Sequence, residues 1–202
     1  MYSDNKTTAL TTTGLFLALS IILYFVGVLF PSFGTYLRYL IPGLMAVLKT
    51  KYGYRYLTAF SFALLIMVAI FFGIEQLIIG LFLYIPVGFV LASLYENNTI
   101  VNHLVALVIF AVFGILLVVL VSLILGIDYK EMYMDVVELN YVLFGNFYER
   151  SGLSKAYFSD LFTRLIWFVL AATGVFYGYI LYFINKIVYK KGLEIIDRRK
   201  ES

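Results

Sequence analysis

Residues 104–127 read "LVALVIFAVFGILLVVLVSLILGI", a run without a single charged side chain. A helix advances about 1.5 Å per residue, so such a run is long enough to cross the ~30 Å hydrocarbon layer of a bilayer. The strands of a membrane barrel would give shorter segments of alternating hydrophobicity instead. Four other runs are nearly free of charge, at 14–30, 56–72, 77–95 and 165–185. The sequence therefore predicts an all-α integral membrane protein.

The composition of the whole chain leads to the same class. The 202 residues are 63% hydrophobic and 13% charged, whereas soluble domains are roughly half apolar and about a quarter charged. Cysteine is absent, which excludes disulfides, thiolate metal sites and cysteine nucleophiles. We expect a lipid bilayer as the main surrounding, and no metal or cofactor. The net charge of +3 comes mostly from the carboxyl-terminal tail, and this tail favours anionic lipid over nucleic acid as its partner.

The number of spans depends on the segment 31–49, which contains Pro42 and only about a dozen apolar residues, fewer than a full span needs. As a short or broken helix it gives six spans, and as a re-entrant piece it gives five. In both topologies the positive-inside rule places the carboxyl terminus in the cytoplasm, so the rule does not decide between them. The basic stretch "KTKYGYR" at 49–55 favours six, because it is typical of a tight cytoplasmic turn. We expect a multi-pass protein of the cell (plasma) membrane with spans near 13–30, 36–49, 55–72, 76–95, 103–127 and 161–187.

Residues 128–160 are predicted to form an outer helical loop between spans five and six. Acidic and apolar side chains recur there at steps of three and four, on separate faces of one amphipathic helix. The acidic face holds Asp128, Glu131, Asp135 and Glu138, and the apolar face holds Met132, Val136, Leu139 and Leu143. A second helix is expected to begin at the N-cap residue Ser154 and to continue into the last span. The loop is either a solvated connection or a lid over the outer mouth, and 188–202 form a basic cytoplasmic tail.

Residues that could carry chemistry are sparse. His103 is the only histidine, and no nucleophile motif or Gly-rich phosphate loop accompanies the carboxylates, so we do not expect an enzyme. Polar groups at membrane depth are costly and often mark a substrate path. On the six-span topology such groups fall near the outer end and either converge on one substrate-binding pocket or anchor the helices at the interface. These candidate substrate-binding residues are Arg38, Glu75, Gln76, Arg164 and Trp167.

Small residues spaced four apart form a second kind of feature. Gly14 and Ala18 lie within "TTTGLFLALS" at 11–20 and share one helix face. The same pattern recurs at 88–92 and 174–178. In a membrane such faces allow two helices to approach closely. The face of Gly14 and Ala18 therefore either packs inside the bundle or docks a partner protein.

Two family resemblances bear on function. The first half, from "TTTGLFLALSIILYFVGVLFP" to "IPVGFVLASLYENN", resembles the S components of energy-coupling-factor (ECF) vitamin transporters. The second half, from "VVELNYVLFGNFYERSGLSK" to Asn185 and the basic Lys186, Lys190 and Lys191, resembles the YybS-like family of bacterial membrane proteins, whose function is largely unassigned. The resemblance implies an S-component-like bundle of six helices that captures one vitamin or metal at the outer face. It also implies that Gly14 and Ala18 dock onto a transmembrane coupling protein.

These observations predict a substrate-binding subunit of a small-molecule or vitamin uptake transporter, with energy supplied by partner ATPases. The alternative is a non-transporting scaffold of the cell envelope that has the same fold.

Overall fold

The computed structural model describes residues 2–30, 36–126 and 154–201, together with positions 128, 131, 134, 135, 138, 141, 142, 145 and 150–152. Every regular element among these residues is helical. In chain order they are α1 (Tyr2–Leu29), α2 (Ile41–Tyr52), α3 (Tyr54–Ile79), a π-helical turn (Gly80–Tyr84), α4 (Ile85–Glu96), α5 (Ile100–Leu125) and α6 (Lys155–Glu201).

Four helical stretches are long and apolar enough to cross a bilayer: Lys6–Leu29, Tyr54–Glu96, Ile100–Ile124 and Thr163–Asp197. Their outer faces expose large apolar side chains such as Ile70 and Phe168, which lipid would cover. The predictions of an all-helical fold and of a membrane protein are confirmed.

The second of these stretches folds back on itself at Gly73. The φ of this residue is 81°, in the left-handed region that favours glycine. On the two sides of it the rings of Tyr54 and Phe89 stack with their centroids 6.4 Å apart, whereas a straight helix would separate them by roughly 50 Å. Leu65 Cδ2 likewise lies 3.4 Å from where a Cβ on Gly80 would be. Gly73 therefore forms the tip of a helical hairpin, between the predicted spans 55–72 and 76–95.

The described residues form two compact units, the first comprising Met1–Val108 and Tyr177–Ser202. At its centre lies α2, of which Ile41–Lys49 is buried without interruption. A helix buried on all sides needs apolar residues all round, and Pro42 falls in the first turn, where its missing N–H is not needed. The predicted span 36–49 is therefore a helix that begins at Ile41 and ends at Tyr52, and this doubtful segment is the most buried element of the unit.

Helices α1 and α2 run antiparallel within the first unit. The hydroxyl groups of Thr12 and Tyr52 lie 3.3 Å apart at one end, and Gly27 lies against Arg38 at the other. A single residue, Gly53, separates α2 from α3. The predicted tight turn at 49–55 is confirmed as a turn between two helices.

The basic side chains of this turn are paired. Lys49 forms an ion pair with Glu96 at the end of α4, and Lys51 Nζ lies 2.6 Å from Asp197 Oδ1 on α6. These two ion pairs connect the end of α2 to the ends of α4 and α6, at the end of the unit opposite Arg38.

The second unit comprises Ile109–Phe176. Here α5 and α6 approach so closely that a Cβ on Gly114 would lie 2.6 Å from the Cα of Gly174. Ser154 caps α6, because its Oγ accepts a hydrogen bond of 3.2 Å from the Tyr157 N–H. The predicted N-cap is confirmed, and the helix continues through the last predicted span.

In the predicted amphipathic loop helix, Glu131, Asp135 and Glu138 are helical and exposed. Its apolar face, Met132, Val136, Leu139 and Leu143, lies outside the described residues.

Candidate functional site

Arg38 lies in the short helical segment at 36–38 that precedes α2, and its side chain is only 7% exposed. Its Nη1 donates a hydrogen bond of 2.6 Å to Oε1 of Gln76. Gln76 follows the reversal at Gly73, so the helical hairpin carries it to the guanidinium. The structure thus brings together two of the five candidate residues.

Aromatic rings surround this pair. The Cζ of Arg38 lies 5.0 Å from the ring centroid of Tyr24, within the range of a cation–π contact. The rings of Tyr24 and Tyr84 meet edge-on at 6.1 Å, and the ring of Tyr39 lies 6.2 Å from Tyr84. Tyr24 and Tyr84 are fully buried or nearly so. The charge of Arg38 is therefore held in apolar surroundings, where water does little to offset it.

Two polar atoms of this cluster have no hydrogen-bond partner among the described residues: Arg38 Nε and the Tyr24 hydroxyl. Within the same part of the chain, no carboxylate forms an ion pair with Arg38. Buried polar groups are paired in the great majority of cases, and a buried charge that lacks a counter-charge is costly. The cluster therefore has spare capacity to donate hydrogen bonds.

Gly27 on α1 provides the space for the guanidinium. A Cβ at this position would overlap Nε and would lie 2.5 Å from Nη2 and 2.7 Å from Cζ. Such a point lies in front of the edge formed by Nε and Nη2. We call Arg38, Gln76, Tyr24 and Gly27 the Arg38 site.

Asn185 holds the segment that carries Arg38. This fully buried side chain accepts a hydrogen bond of 2.6 Å from the Gly43 N–H and donates one of 2.7 Å to the Tyr39 carbonyl. It also donates to the carbonyl of Leu181 on its own helix. Asn185 thereby pairs the Tyr39 carbonyl at the break before α2, and it shares the Gly43 N–H with the Leu40 carbonyl, which lies 3.2 Å from Gly43 N. It is a positioning residue for Arg38.

The other three candidate residues are all exposed. Glu75 is exposed. Arg164 and Trp167 belong to the second unit, where Arg164 Nη2 lies 2.8 Å from Asp160 Oδ2 in an exposed pair and Trp167 is 46% exposed. The convergence of all five residues on one pocket stays a prediction.

The three small-residue faces differ in environment. Gly14 and Ala18 are exposed, and no atom lies within 4 Å of where a Cβ on Gly14 would be. Gly88 instead packs on Met45, and Gly174 on Gly114. Among the described residues, internal packing thus accounts for two of the faces, and docking of a partner at Gly14 stays a prediction.

His103 lies at the start of α5 among uncharged neighbours. Its Nε2 is 2.6 Å from Asn98 Oδ1, and its ring lies parallel to that of Tyr179 with the centroids 6.3 Å apart. These contacts suit a residue that organises the turn between α4 and α5.

Sequence reasoning missed Tyr24 and Gly27. They are three residues apart and so share one face of α1, which is a signal of the kind used for Gly14 and Ala18. Aromatic residues are so frequent in these spans that the signal is weak by itself.

Comparisons with protein-family models, with curated proteins and with solved structures found no match for this chain. The resemblance to S components and to YybS-like proteins stays a prediction, and the function is argued from the Arg38 site.

Proposed function

We propose that this chain is a membrane-embedded substrate-binding subunit of the S-component type, which captures a small molecule at the Arg38 site for uptake. The observation that carries the proposal is the buried guanidinium of Arg38, which is paired with the neutral Gln76 and retains an unsatisfied donor. A charge held in this way inside a membrane protein is expensive unless a ligand uses it.

The proposed topology has six spans. Two features support it: α1 and α2 are antiparallel, and the chain reverses at Gly73. The end with the basic turn at 49–55 faces the cytoplasm, in accordance with the positive-inside rule. The Arg38 site then lies toward the outer side, where a substrate arrives.

The proposed partner is a transmembrane coupling protein with its ATPases. It would dock at the exposed face of Gly14 and Ala18, because small residues allow a second helix to approach closely within a membrane. The same exposed face favours the alternative function, a scaffold that organises other membrane proteins. A scaffold would need the face of Gly14 but would not need a buried, unsatisfied arginine.

Native mass spectrometry of the detergent-purified protein tests capture. We expect wild type to retain a small molecule and Arg38→Gln to lose it, because the substitution removes the charge that holds the ligand. Arg55→Gln is the matched control: it removes an exposed arginine at the start of α3, and it should retain the molecule.

The absence of any bound molecule in wild type would contradict capture and would favour the scaffold. Equal retention by wild type and Arg38→Gln would show that a captured molecule binds elsewhere.

A further inference from the structure

We infer that the ligand of the Arg38 site carries a carboxylate, bound by the free edge of the Arg38 guanidinium; this deepens the proposed function and rests on it. The first step is the way in which the guanidinium is used. Gln76 accepts from Nη1, so the edge formed by Nε and Nη2 remains. Two parallel N–H groups on one edge match the two oxygens of a carboxylate.

The second step concerns charge. Gln76 supplies an acceptor but no negative charge, and Arg38 forms no ion pair with any carboxylate in the part of the chain that the structure describes. A neutral ligand would leave the buried charge uncompensated. An anionic ligand supplies the missing counter-charge as well as the missing acceptor.

The third step is the neighbouring hydroxyl. Tyr24 packs its ring against the guanidinium, and its buried OH is also without a partner among the described residues. A carboxylate oxygen can accept a hydrogen bond from either kind of donor. Two unsatisfied donors in one cluster thus point to the same kind of ligand.

The fourth step is access. The free edge faces Gly27, whose missing side chain leaves the point in front of Nε and Nη2 unfilled. The backbone of α1 lies directly behind that point. An acceptor would therefore reach this edge only if α1 and the Arg38 side chain moved apart.

The test uses the purified full chain in detergent and pairs of acids with their primary amides as probes: acetate, butyrate, octanoate, benzoate and nicotinate. Binding is measured as a concentration-dependent rise in the melting temperature. We expect at least one acid to bind and its amide to bind at least tenfold more weakly, because the amide has the same shape but no charge.

Gln76→Glu is the sharpest variant. It keeps the size of the side chain and places a carboxylate on Arg38 within the protein itself, which should neutralise the guanidinium. We expect the ligand-free protein to remain folded and the affinity for the acid to fall by roughly 100-fold, as for other charge-assisted bidentate pairs. Tyr24→Phe removes one donor and should weaken binding by about tenfold.

Arg55→Gln again serves as the control and should bind the acid as wild type does. The inference is wrong if no acid binds, if acid and amide bind equally, or if Gln76→Glu binds the acid as wild type does. If a neutral molecule co-purifies and its retention requires Arg38, the inference of a carboxylate ligand is wrong but the proposed function is supported. If nothing co-purifies and no probe binds, the proposed function itself is wrong.

Discussion

The faces of Gly88 and Gly14 share a sequence pattern and have opposite environments. A Cβ on Gly88 in α4 would lie 2.5 Å from Sδ of Met45 on α2, whereas a Cβ on Gly14 in α1 would have no atom within 4 Å. The difference arises because α4 packs on the central helix α2, while the Gly14 side of α1 faces outward. Small residues four apart thus permit close approach without indicating which helix approaches.

The face of Gly174 extends this comparison, because its neighbour is backbone. A Cβ there would lie 2.7 Å from the Cα of Gly114 and would overlap the Phe110 carbonyl oxygen. Backbone yields less than the end of a flexible side chain. The three faces should therefore form a graded series in how much stability is lost when side-chain atoms are added to each.

Gly174→Ala should have the largest effect in this series. The added methyl group must push α5 and α6 apart, and we expect the free energy of unfolding to fall by about 3 kcal/mol, the upper part of the range for overpacking. Urea titration of the protein in detergent micelles, followed by circular dichroism, measures it.

Thr173→Ala, at the exposed neighbouring position, is the control for this variant and should change stability by less than about 0.5 kcal/mol. A loss at Gly174 no larger than that of the control would mean that the helices separate freely, and the distinction between backbone and side-chain neighbours would fail.

The helices were predictable from the sequence because hydrophobic length alone determines them in a membrane. The central position of α2 was not. Its proline-containing sequence was compatible with a short or broken span and with a re-entrant piece, and neither reading predicted that Ile41–Lys49 would be buried on every side by other helices. Tertiary packing determines which helix is buried by the others, and the hydropathy of a segment does not indicate this.

The candidate site was predictable in part. Arg38 and Gln76 were identified because they interrupt apolar segments, where the burial of a polar side chain in a membrane costs free energy. Tyr24 and Asn185 were harder to identify. Tyr24 resembles the many aromatic residues of the spans. Asn185 bonds to backbone groups next to the break before α2, and the sequence does not reveal that break. Residues whose task is set by a backbone irregularity cannot be found before the irregularity is known.

Gly88→Ala should have an intermediate effect. Its neighbour is the end of Met45, which moves readily, so we expect a loss of about 1–2 kcal/mol in the free energy of unfolding. The same substitution in a Met45→Ala background should lose almost nothing further, because the obstructing atoms are gone. Additive losses in the double variant would contradict the proposed contact.

Gly14→Leu combined with Ala18→Leu should have the smallest effect on stability, less than about 0.5 kcal/mol, because no atom lies within 4 Å of a Cβ on Gly14 and Ala18 is exposed. Association should change instead if this face docks a partner helix, since two leucines remove the close approach. Tagged wild type and the double variant are isolated from the native membranes, and their co-purifying proteins are compared by quantitative mass spectrometry. Ala59→Leu adds the same bulk at an exposed position of α3 and should retain every partner. A folded double variant with an unchanged set of partners would show that this face meets only lipid, and an unstable one would show that it packs inside an assembly of this chain.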